Sequence, residues 1–378
     1  MRALYGSATV VSMVVRFRSL PARWPAVVPV AAVVLLALTW GRALPGGGVV
    51  LVTVILAGSV LAAVHHAEVI AHRVGEPFGS LVLAIAVTVI EVALIVTLMA
   101  DGGAKSATLA RDTVFAAVMI TCNGVVGASL LVASLRHRIA VFNPEGTGAA
   151  LATVATLATL SLVLPGFTTS KPGPQFSPAQ LTFAALSSLI LYGLFVTTQT
   201  VRHRDYFLPI TRQGEVIRAD EHADAPSARA AALSLGLLTL ALIGVVGLAK
   251  GVSPAIESGV AAAGMPQSVV GVVIALLVLL PETIAALRSA RRDRVQTSLN
   301  LALGSAMASI GLTIPAVALA SVWLSGPLLL GLGPLHMVLL ALTVVVSSLT
   351  VVPGRATPLQ GGVHLVLFGA YLELAVSP

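Results

Sequence analysis

One cysteine, Cys122, is all that the 378-residue chain holds, so no internal disulfide can staple it. Charge is scarce as well. Asp, Glu, Lys and Arg make up 10% of the residues, against about 25% in an ordinary soluble domain. With 57% of the residues hydrophobic, a soluble globular fold is excluded and a polytopic membrane protein is indicated. The GxSxG and HExxH patterns are also missing. An intramembrane hydrolase would need such a pattern to place its nucleophile or metal, so the chain does not read as an enzyme. The net charge of +7 does not call for nucleic acid, because topology accounts for it.

A bilayer core takes about 20 apolar residues per helix. On that basis the sequence predicts an all-α protein with eleven spans: 25–40, 48–72, 79–100, 113–135, 148–165, 181–200, 230–249, 267–287, 297–322, 328–351 and 359–376. The first is expected to be an uncleaved leader helix rather than a signal peptide, since ten more spans follow. Lys and Arg concentrate in cytoplasmic loops of membrane proteins. If the N-terminus is inside and the spans alternate, only Arg42, Lys105, Arg111, Lys171 and Lys250 of the 22 Lys and Arg fall outside. The expectation is a bacterial inner-membrane protein with a cytoplasmic N-terminus and an external C-terminus. Its basic excess then faces the anionic inner leaflet of the lipid bilayer.

The longest polar stretch, 201–229, falls inside and contains the run "DEHAD". It divides the chain into a leader with the first span (1–47), a five-helix repeat (48–200), the loop itself (201–229) and a second five-helix repeat (230–378). An odd number of spans per half makes the halves run oppositely, the inverted-repeat plan of many secondary transporters.

Four acidic residues fall in or near spans: Glu68, Glu91, Glu282 and Glu373. Glu91 and Glu282 each sit in the second span of their half, so a pseudo-two-fold axis would bring them together. The following span of each half is rich in small and polar residues. One holds Asn123, Gly124 and Gly127, and the other Ser298, Asn300, Gly304, Ser305, Ser309 and Gly311. Small residues allow close helix approach, and hydroxyls and amides supply oxygen. Pro281, next to Glu282, frees a backbone carbonyl, which is tolerated in a membrane where it lines a site. Two carboxylates with neutral oxygens make a hard-oxygen site for a metal cation such as Ca²⁺, which takes six to eight such ligands. Without the metal, two buried like charges favour binding protons instead. Asn123 reads either as a ligand or as a helix–helix hydrogen bond. His65, Glu68 and His72 share one helical face by i+3 and i+4 spacing at the inner end of the second span, where they are interfacial or a proton path.

The stretches "GEPFGSLVLAIAVTVIEVALI" (75–95) and "LLPETIAALRSARRDRVQTSLNLALGSAMASIGLTIP" (279–315), with "RHRDYFLP" in the loop, resemble the bacterial calcium/proton antiporters of the cation/calcium exchanger superfamily, relatives of the CAX exchangers. The resemblance covers the whole layout. It implies Ca²⁺/H⁺ antiport by alternating access, with Glu91 and Glu282 as paired central carboxylates binding cation and proton. No resident cofactor is implied; the cargo is Ca²⁺ and H⁺, with Na⁺ or K⁺ as the alternative. The Gly-Asn-x-x-Glu pattern of CAX proteins is not kept, and its asparagine places hold Thr88 and Leu279. The oxygen-bearing neighbours expected around the carboxylates are therefore Thr88, Asn123, Ser305 and Ser309.

Overall fold

The structure is a computed structural model describing residues 23–42, 44–75, 78–102, 107–211, 213, 215–216, 226–324 and 326–377. Arg2, Arg16, Arg18, Lys105, Arg212, Arg218 and the "DEHAD" run lie outside the described residues. The described chain is almost entirely helical. Eight helices are long and apolar enough to cross a membrane, a bent pair supplies a ninth span, and two shorter apolar helices cover Trp24–Thr39 and Ala84–Ala100. Each of the eleven expected spans has a helix in its place.

In chain order the helices are α1 (Trp24–Thr39), α2 (Gly46–Val74), α3 (Phe78–Gly102), α4 (Leu109–Met119) and α5 (Val126–His137), then α6 (Pro144–Ala158) and α7 (Pro178–Thr197). After the inter-half loop come α8 (Ala228–Ala262), α9 (Ser268–Val278), α10 (Leu280–Arg291), α11 (Val295–Ala320), α12 (Pro334–Val351) and α13 (Pro358–Val376). Helices α4 and α5 form one span, joined by a π-helical turn at Ile120–Val125. Further π turns follow α6, at Thr159–Val163, and α7, at Thr198–Arg202. Such turns are rare and favour functional sites.

Helix starts follow local sequence. Pro144, Pro178, Pro334 and Pro358 each open a helix, where the missing N–H costs nothing. Ser177 with Gln180, and Thr357 with Gln360, form complete capping boxes.

Three expected boundaries change. The seventh span does not stop at 249. Helix α8 runs on through Pro254 to Ala262, and Ser253 Oγ donates to Glu257 Oε1 at 3.0 Å along its far end. The tenth span begins at Pro334 rather than 328. The extended segment before it is spent on neighbouring loops, with Leu329 N donating to Ala107 O (3.0 Å), Gly331 N to Pro174 O (2.9 Å) and Leu332 N to Leu162 O (2.8 Å). The eighth span is broken. Helices α9 and α10 meet at Leu279 with a 54° bend, because Pro281 cannot donate the hydrogen bond that would continue the helix.

The two ends of the bundle are distinct. At one end a short antiparallel pair aligns Ala140 with Ala356 and Val141 with Arg355, and Gln296 Oε1 accepts from Asn143 N at 2.7 Å. At the other end the 328–333 segment covers the ends of α4 and α6. Close crossings rely on glycine. A Cβ on Gly361 of α13 would stand 2.7 Å from Leu131 N of α5, and one on Gly127 would stand 2.8 Å from His364 Cβ. Helix α1 packs on α2 and α8. It is pinned there by His66, whose Nε2 lies 2.9 Å from Pro25 O and Nδ1 3.3 Å from Ser234 Oγ. Pro29 cannot donate to Pro25 O, so that carbonyl is free to accept from His66.

Candidate cation and proton site

Glu91 lies in the middle of α3 and is 4% exposed. Burying a carboxylate at that depth requires a partner, and α11 provides one: Ser309 Oγ donates to Glu91 Oε1 at 2.5 Å. Glu282 is held differently. The break at Leu279 places it in the first turn of α10, where exposed N–H groups and the helix dipole favour a negative charge. Its Oε2 is shielded from solvent and has no hydrogen-bond partner. Glu68 and Glu91 both act electrostatically on it.

Both carboxylates open on one cavity of about 220 Å³. Its walls are Thr88 from α3, Tyr192 and Phe195 from α7, Gln199 from the π turn after α7, Leu279, and Thr297, Asn300, Ser305 and Ser309 from α11. Together with Leu301, Gly304 and Ala308, the α11 residues recur every three or four positions, so they share one helical face. The cavity runs from mid-membrane toward the end where α7 stops and α11 starts. There Asn300 Nδ2 donates to Phe207 O at 2.6 Å, and Phe207 packs edge-on against Phe195. Past Glu91 and Ser309 toward the opposite end, Leu94, Ile95, Ile314 and Val317 are buried. The cavity thus leads to one end of the bundle and is backed by packed apolar residues toward the other.

Of the residues expected from sequence, Glu91, Glu282, Thr88, Ser305 and Ser309 come together in this cavity. Asn123 does not line it. It is fully buried in the π turn of the fourth span, with Nδ2 donating to Thr343 Oγ1 at 2.9 Å and Oδ1 3.2 Å from His364 Nδ1. Of its two readings, the helix–helix hydrogen bond is the one realised. The histidine face expected from sequence is exposed at His65, Glu68 and His72. His65 is exposed and tilts against Trp24, while the next residue, His66, is the buried one. Glu68 is within electrostatic reach of His72 and Arg288 as well as Glu282. No group of three or more His, Cys, Asp or Glu able to hold a metal occurs among the described residues. A bound cation would therefore rely on two carboxylates and neutral oxygens.

Three polar wall residues, Tyr192, Gln199 and Thr297, were not anticipated, nor was Phe195. Stepping back along α11 from Ser309 by helical periods would have reached Thr297, but no sequence signal marks Gln199. Asp112, expected in a loop, is instead buried in the first turn of α4. It pairs with Arg111 at 2.8 Å and accepts from Thr108 Oγ1 at 2.8 Å.

A helical membrane protein with two carboxylates on separate helices around one blind cavity belongs to the class of ion exchangers. The sodium/calcium exchanger protein family matches residues 44–201 and 233–376, and the chain belongs to that family. It is 47% identical to the candidate ionic transporter y4hA of Sinorhizobium fredii, over 94% of this chain and 96% of that protein. It is 34% identical to the sodium-potassium/proton antiporter ChaA of Escherichia coli, over 91% of this chain and 93% of the relative. Among solved structures, the H⁺/Ca²⁺ exchanger CAX matches with a TM-score of 0.67 at 17% identity, covering 92% of this chain and 86% of that one. YfkE matches with a TM-score of 0.65 at 16% identity, covering 92% and 96%. These two likenesses establish the fold.

Proposed function

We propose that the protein is a secondary antiporter, not an enzyme, that exports Ca²⁺ from the cytoplasm in exchange for H⁺. The observation that carries this reading is the pair Glu91 and Glu282 at one cavity, the first tied to Ser309 and the second with a free Oε2. Two carboxylates neutralise one Ca²⁺, and Thr88, Ser305, Ser309 and the amide oxygens of Asn300 and Gln199 supply hard neutral ligands. The same carboxylates bind protons when the cation leaves, so competition at one site exchanges the two. The reading takes residues 48–200 and 230–378 as inverted halves whose relative movement exposes the site to either side. By the bias of Lys and Arg, the cavity leads to the cytoplasm, and the inner membrane of a bacterium is the setting.

A second reading, Na⁺ or K⁺ in place of Ca²⁺, is favoured by the named activity of the 34% identical relative and by the loss of the asparagine at Thr88. Everted vesicles carrying a proton-gradient dye decide between them. Dequenching on adding Ca²⁺, but not Na⁺ or K⁺, is expected. Dequenching with Na⁺ or K⁺ alone moves the cargo to the second reading, and no response to any of the three overturns the antiport.

A further inference from the structure

Helix α11 carries a ladder of hydroxyls. Ser305, Ser309 and Thr313 recur every four residues, so they stack on one helical face, with neighbours about 6 Å apart along the axis. Ser305 and Ser309 line the carboxylate cavity. Thr313 does not. It is fully buried one turn past Ser309, on the side where Leu94, Ile95, Ile314 and Val317 are packed.

A threonine in a helix ordinarily passes its hydroxyl proton to the carbonyl one turn back, as Thr283, Thr343 and Thr350 do to Leu279, Leu339 and Val346. Thr313 makes no such bond, and its Oγ1 has no hydrogen-bond partner. An unpaired buried polar group is costly and rare in a native structure, so it calls for a reason. Among the described residues Thr113 is the other buried hydroxyl left in this way, and of the two it is Thr313 that bears on Glu91. Its hydroxyl acts on that carboxyl group beside the hydroxyl of Ser309, while Ser309 alone holds the hydrogen bond. The turn is also loosely tied. Pro315 has no N–H to give to Gly311 O, and a proline inside a helix is where the helix can bend.

Resting on the antiport reading, we propose that Thr313 is a positioning residue for Glu91: the carboxyl group, held by Ser309 while the cavity is open to its present side, passes to Thr313 when the site opens to the other. The exchange replaces one hydroxyl hydrogen bond by another of the same kind and breaks no covalent bond, so neither arrangement is strongly favoured. A hydroxyl also suits both forms of the carrier. Thr313 donates to an ionised Glu91, as Ser309 does now, and accepts from a protonated one. In the opposite arrangement Thr313 borders the outer mouth of the site, as Ser305 borders the inner one.

The test compares Thr313→Val, which keeps the side-chain shape and removes the oxygen, with Thr313→Ser, which restores it. Everted vesicles offer cation to the cavity side, and right-side-out vesicles offer it to the opposite face. Thr313→Val should leave the KM on the cavity side unchanged and lower the rate of exchange about tenfold or more, the size of one hydrogen bond to a charged group. The KM on the opposite face should rise, and Thr313→Ser should return both values toward wild type. Because the hydroxyl has no partner in the present arrangement, Thr313→Val in nanodiscs should melt no lower than wild type. A structural hydroxyl would lower the Tm and slow both faces alike; that result, a variant that does not fold, or a wild-type rate overturns the proposal. A separate arm needs no exchange. Thr313→Cys on a Cys122→Ser background should react with a small impermeant thiol reagent added to the face opposite the cavity, and no reaction there overturns the proposal. If the wild-type protein exchanges none of Ca²⁺, Na⁺ and K⁺ while that reaction occurs, the antiport reading falls and Thr313 stands as the outer partner of the site.

Discussion

Ser309 on α11 donates a 2.5 Å hydrogen bond to Glu91 on α3, joining two helices 218 positions apart in sequence. The hydroxyl fixes one oxygen of the carboxylate. Ser309→Ala should reduce the rate of exchange at low cation concentration by about tenfold or more, as expected for one hydrogen bond to a charged group. Initial rates in everted vesicles measure this, and a wild-type rate would separate Ser309 from the transport site.

Glu91→Gln and Glu282→Gln should each abolish exchange while leaving expression and membrane insertion intact. Gln keeps the volume of Glu but neither binds a cation as an anion nor carries a titratable proton. The variants are compared by dye dequenching at matched protein levels. Exchange at the wild-type rate in either one removes that residue from the mechanism.

Competition fixes the sign of the pH dependence. A protonated carboxylate cannot ligate the cation, so the apparent KM should rise as pH falls on the binding side. For Ca²⁺ the slope should approach two protons per cation, because both carboxylates face one cavity and titrate as a pair. Cation titrations between about pH 6.5 and 9, bracketing the range known for buried carboxylates, test this. A KM that stays flat over that interval excludes shared sites.

Orientation is checked by cysteine labelling on a Cys122→Ser background. A cysteine replacing His222 should react with impermeant maleimide only after the inner face is exposed. Reaction from outside intact cells would invert the topology and turn the cavity toward the exterior.

Most of the span order was legible because apolar length and breaks rich in Gly, Pro or charge are local properties. The boundaries that moved had non-local causes. Residues 328–333 are apolar enough to extend a helix, yet their backbone groups are taken by Ala107, Pro174 and Leu162. Helix α8 continues past Lys250 and Pro254, where charge and proline both suggested a stop. Asp112 read as a loop residue because its partners, Arg111 and Thr108, become a buried cluster only once α4 packs against α9.

The site shows the same division. Intramembrane charge is costly enough to single out Glu91 and Glu282 without coordinates, and Pro281 marked the break that bends the chain beside Glu282. The helical spacing of Ser305 and Ser309 likewise placed them together on one face. Sequence could not decide which polar residues share a cavity, because that depends on how helices rotate and cross. Packing turned Asn123 away toward Thr343 and His364, brought in Gln199 from the π turn after α7, and chose His66 over His65 as the buried ring. Side-chain chemistry along one helix is written locally, but the face that meets a neighbour is set by contacts such as Gly127 against His364 and Gly361 against Leu131, which exist only when the bundle is assembled.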